Sequence, residues 1–124
     1  MLNQVILLVG ALTISILGII HLILTNRVVE GFGEIIGDNR NIITMEWILE
    51  GVSLIFIGLI VAVVTLIDPM NIVSKAVFWT CACELGVLTI VSFLIGFKVN
   101  HIAFKLSPII FLFSSILLII GILL

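Results

Sequence analysis

Six ionisable side chains, His21, Glu46, Glu50, Glu84, His101 and Lys105, fall within or beside long apolar runs. A charge at the centre of a hydrocarbon layer costs roughly 3 kcal/mol or more, so such groups are candidates for function. Carboxylates with poor access to water can take up and release protons near neutrality, where histidine also titrates. The set therefore suits proton-coupled binding or transport of a small cation or organic solute. Glu50 and Glu84 are the expected proton-exchanging groups, with His21 and Lys105 as their partners.

Other chemistries are open to the same residues. Glu46 and Glu50 stand four apart on a helix and can share one ion. With His21 they make the expected metal set of a second reading, a membrane enzyme acting on a lipid or quinone. No HExxH is present, nor the paired Glu-x-x-His of di-iron bundles, and the sequence names no cofactor. Ser53, Ser92 and Ser115 have no triad context, and hydroxyls in apolar helices commonly bond helix carbonyls. In a third reading the charges only hold a bundle together, as in an accessory subunit. Lys105 and His101 then snorkel to headgroups. Glu46 caps a helix N-terminus beside Trp47, an interface anchor. Cys81 and Cys83 are two residues apart, so on a helix their side chains diverge by roughly 200° and cannot bridge. They read as inert thiols.

The elements that carry these groups follow from composition. Of 124 residues, 63% are hydrophobic and only 10% charged, with a mean hydropathy of +1.53. Ordinary soluble domains are about 25% charged. A chain this apolar needs lipid around it. The net charge of −2 is uninformative here, but the absence of any basic run sets a nucleic-acid partner aside.

Four apolar runs appear, about Gln4–Thr25, Ile43–Ile67, Val73–Phe97 and Ile102–Leu124. Roughly 20 apolar residues cross a membrane as a helix. The first run lacks a basic flank and a cleavage site, so it is expected to be a retained span. Strand-type alternation is absent. Asp68-Pro69-Met70-Asn71 and Phe97–His101 are tight connections, and short links make antiparallel neighbours. The long connection, Asn26–Asn41, puts Arg27, Glu30, Glu34 and Asp38 on one helical face and Val28, Val29, Phe32, Ile35 and Ile36 on the other. That pattern predicts a short helix lying in the interface between helices 1 and 2. The expected fold is an all-α integral membrane protein, a four-transmembrane-helix antiparallel bundle forming one domain over residues 1–124.

Arg27, Arg40, Lys98 and Lys105 lie at one end of this bundle and Lys75 at the other. The positive-inside rule then places the long loop in the cytoplasm and both termini outside a cell membrane. Around the helices, Glu46, Glu50 and Ser53 share a band, and His21 shares one with Gly10, Gly18 and Thr25. Likewise Glu84 lies with Thr80, Cys81 and Leu88, and His101 with Lys105, Pro108 and Ser115. Each stripe is expected to turn inward, forming a polar funnel that narrows to Glu84 near the midplane. Gly51 and Gly58, on a separate face, are expected to serve either a homodimer or a contact within the bundle. The length and span number match the small multidrug exporters, but their lone glutamate in the first helix is missing, so no resemblance follows.

Overall fold

The computed structural model describes residues 1–124 and contains only helices. They are α1 (Leu2–Gly31), α2 (Asp38–Ile67), α3 (Ile72–Val91) and α4 (Ile102–Leu123). A π-helical turn, Ser92–Gly96, continues α3. Each of the four, with α3 counted to Gly96, is long and apolar enough to cross a membrane. At 1.5 Å per residue the 30-residue α1 and α2 each run about 45 Å, beyond the ~30 Å of a hydrocarbon core.

No short interfacial helix exists between α1 and α2. Residues Asn26–Gly31 complete α1, and Asp38–Asn41 open α2. Val28 and Val29 are each only 2% exposed, because a continued α1 packs them into the bundle. Gly33 and Gly37 then take positive φ angles of 84° and 61°, which suit glycine and interrupt any helix across the link. The charged row thus divides between two helices. Asp38 falls in the first turn of α2, where the dipole favours an anion.

The other two connections are short, as the sequence suggests. Pro69 follows the end of α2, and the Asn71 side chain caps α3 by accepting from Val73 N–H at 2.9 Å. The His101 side chain caps α4, its Nδ1 accepting from Ala103 N–H at 3.4 Å.

Close helix approach sets the packing. A Cβ built on Gly18 would lie 2.6 Å from Gly51 O, and one on Gly58 2.6 Å from Ala11 O and against Ser15 Oγ. Gly18, Gly51 and Gly58 therefore form the α1–α2 seam, so the Gly51 and Gly58 face is used within the bundle. On the other side of α1, Gly10 meets Leu117 and Leu118 of α4, and Gly121 meets Leu7. Ser115 Oγ donates to Ala82 O at 2.9 Å and ties α4 to α3. Phe78, Phe111, Ile14, Leu54, Leu85 and Leu118 fill the centre. By contrast, α2 and α3 barely touch, which leaves a groove between them.

Pro108 sits inside α4. Having no N–H, it leaves the carbonyl of Phe104, four residues back, without its helical donor. That carbonyl turns towards the π turn, where a Cβ on Gly96 would come within 2.8 Å of it. Only 29 of 124 residues are buried, and the exterior is studded with Ile, Leu, Val and Phe. In water such a surface would aggregate, whereas lipid tails would solvate it.

Candidate functional site

His21 is the most enclosed of the ionisable candidates, at 3% exposure. Its ring stacks on Trp47, with centroids 4.4 Å apart and planes inclined by 18°. Trp47 Nε1–H donates to the His21 carbonyl at 2.9 Å, so one side chain of α2 fixes both ring and backbone of α1 at this level. His21 Nδ1 lies 3.1 Å from Leu17 O. A carbonyl only accepts, so Nδ1 carries the hydrogen and Nε2 presents a lone pair. Nε2 has no hydrogen-bond partner. It lies 3.7 Å from Glu50 Oε1.

Two acceptors thus face each other. The arrangement is repulsive until the pair takes up one proton, or until a donor or cation from outside comes between them. Beside it lies a cavity of about 190 Å³ whose lining includes His21, Glu50, Ser92, Gly96, Phe104 and Ser107. At roughly 30 Å³ per molecule it has room for several waters. Its far wall is the π turn, a form of helix found frequently at functional sites.

Glu50 also faces the groove between α2 and α3. This groove has a volume of about 470 Å³ and is lined by Glu46, Glu50, Ser53 and Glu84 among apolar residues that include Ile57 and Leu88. Three carboxylates from two helices therefore meet one opening. His21–Glu50 is the only approach within 4 Å between a basic side chain and a carboxylate in the chain, so no lysine or arginine neutralises Glu46 or Glu84.

The polar stripes do not all turn inward. Glu84 and Thr80 are exposed, while Cys81, expected on the same face, is buried. The cause is the register of α3: Phe78, Cys81, Ala82 and Leu85 pack inward, and Glu84, about 100° from Leu85, faces the groove. Glu46 is exposed and Glu50 half-buried. Lys105, expected to neutralise a carboxylate, pairs with none. His101 is separate from the acidic groove; its ring lies against Phe32 and edge-on to Phe104. His21, Glu46 and Glu50 do not make a metal set, since no three His, Cys, Asp or Glu side chains are placed to hold an ion. Both cysteines are free, with Cys81 in the core and Cys83 outside.

Three features of the site are not named by the sequence pattern. Trp47 reads there as an interface anchor, yet it positions His21. The π turn at Ser92–Gly96 has no signature of its own. Ser107, hidden among apolar neighbours, lines the small cavity. One clue does exist: Pro108 inside a span demands a new neighbour for the Phe104 carbonyl, and Gly96 can provide the space. No protein-family model, no curated protein and no solved structure matches this chain.

Proposed function

We propose that the chain is a single-domain integral membrane protein that binds a small organic cation in the α2–α3 groove and exchanges it for a proton held by His21 and Glu50. In this reading the four helices cross the bilayer antiparallel to one another. The long loop and the Lys98 turn face the cytoplasm, with both termini outside, following the bias of basic residues.

One observation carries the proposal: Glu46, Glu50 and Glu84 line a single groove that no cationic side chain of the chain enters. A carboxylate facing hydrocarbon without a partner is costly, and an organic cation with an apolar body relieves that cost on both counts. The unpartnered, buried Nε2 of His21 supports the proton step. A cation arriving at the Glu50 carboxylate replaces the proton that the pair otherwise shares, so charge balances.

Tetraphenylphosphonium is a suitable probe, being large, apolar and permanently charged. Added to purified protein in weakly buffered detergent, it should bind saturably and release protons. Glu84→Gln should weaken binding about tenfold, a difference of about 1.4 kcal/mol in binding free energy. Absence of saturable binding, or binding indifferent to both Glu50→Gln and Glu84→Gln, would leave the charges as structural and the chain as an accessory subunit.

A further inference from the structure

We propose that the groove between α1 and α4 holds an acyl chain of an anionic lipid, with its phosphate on Arg27 and His101. This groove, of about 360 Å³, is distinct from the acidic one and has the opposite charge preference. Nine of its 13 lining residues are hydrophobic, and none is acidic. Leu17 and Ile110 mark its deep end, while Arg27 and His101 lie at the loop end. A tail slot closed by cationic and donor groups at one end complements an amphiphile with an anionic head.

The head end is supplied with free donors. The Arg27 guanidinium pairs with no carboxylate of this chain. Its fork of N–H groups matches phosphate oxygens. His101 Nδ1 accepts from Ala103 N–H, so the neutral ring carries its hydrogen on Nε2. That Nε2–H lies beside Gly31, at the same end of the groove. A soluble anion would use the head end alone and leave the apolar length unfilled; a lipid uses both.

Trp47 lines this groove and the α2–α3 groove, of which only the first includes Ala103, whereas Trp79 is exposed on α3 and lines neither. In a Trp79→Phe background, Trp47 alone therefore reports contact with brominated acyl chains. The protein is reconstituted in phosphatidylcholine vesicles containing equal fractions of brominated phosphatidylglycerol or brominated phosphatidylcholine. Quenching should give a relative association constant of about five in favour of the anionic lipid, the scale of one basic side chain at an anionic surface. Arg27→Gln should bring that ratio to near one. Ala103→Phe, which fills the groove and keeps the charge, should lower quenching by both lipids. Helix content by circular dichroism checks that each variant is folded. A ratio near one in the parent, a ratio unchanged by Arg27→Gln, or full quenching in Ala103→Phe would overturn the proposal. So would loss of the ratio on adding millimolar inorganic phosphate at matched ionic strength, because a free anion would then own the site. None of these outcomes depends on the acidic groove binding a cation.

Discussion

His21 Nε2 and Glu50 Oε1 face each other at 3.7 Å as two acceptors, joined only when a proton or an outside donor comes between them. The geometry is enforced from behind. Leu17 O holds the hydrogen on Nδ1, and Trp47 stacks on the ring. An amide at position 50 resolves the conflict, because its N–H₂ can donate to Nε2. Glu50→Gln should therefore unfold in detergent at or above the temperature of the parent, with a gain on the order of one net hydrogen bond, about 0.5–1.5 kcal/mol. The same variant should lose proton release on phosphonium binding. A marked fall in its unfolding temperature would show that the carboxylate supports the fold instead.

Trp47 has two tasks that separate by substitution. Trp47→Phe retains an aromatic face but loses the donor to His21 O. That carbonyl still accepts from Thr25 Oγ1 at 2.8 Å, so it is not orphaned. The expected cost is about 0.5–1.5 kcal/mol. Trp47→Ala removes the stack as well and should cost about 3–5 kcal/mol, as for a large buried aromatic. Unfolding in a denaturing detergent series measures both, and equal losses in the two variants would contradict this division.

The α1–α2 seam predicts a contrast among glycines. At Gly18 an added methyl meets Gly51 O at 2.6 Å, a backbone atom that cannot swing away. Gly18→Ala should cost about 1–3 kcal/mol through overpacking. Gly86 has nothing within 4 Å of its Cβ position. Gly86→Ala should gain up to about 1 kcal/mol from helix propensity. Similar effects at both positions would mean that the seam is not closely packed.

The four helices long enough to cross a membrane were legible because apolar length dictates them, although α1 runs on past Thr25 to Gly31. Ile43–Ile67 lies wholly within α2, and Asp68-Pro69 ends that helix where proline must. The interfacial helix was not legible, since a charged face says nothing about the positive φ that Gly33 and Gly37 adopt. The place of Glu84 at the middle of the helix from Ile72 to Gly96 could be read from chain position, but not its direction. A stripe on one helix does not reveal which neighbour it meets, and α3 packs on α4 through Phe78, Cys81 and Leu85. His21 and Glu50 come together because both lie near the same end of adjacent spans, which counting residues does anticipate. Lys105 shares that level, yet reaches no carboxylate.

The π turn and the α4 proline are linked through one carbonyl. Gly96→Ala should cost about 1–3 kcal/mol, because its methyl presses on Phe104 O. Pro108→Ala restores the N–H that draws this oxygen back into α4. The double variant should therefore lose less than the sum of the two single changes, with a coupling of about 0.5 kcal/mol or more. Strict additivity would show that the two positions act independently.

The most direct measurement is an experimental structure of the protein with tetraphenylarsonium, whose arsenic marks the position of the bound cation. The predicted density lies between α2 and α3, against Glu50 and Glu84, and at a cation concentration near the parent's Kd it falls several-fold in Glu84→Gln. Arsenic density elsewhere on the bundle, or none at saturating cation, would contradict the account.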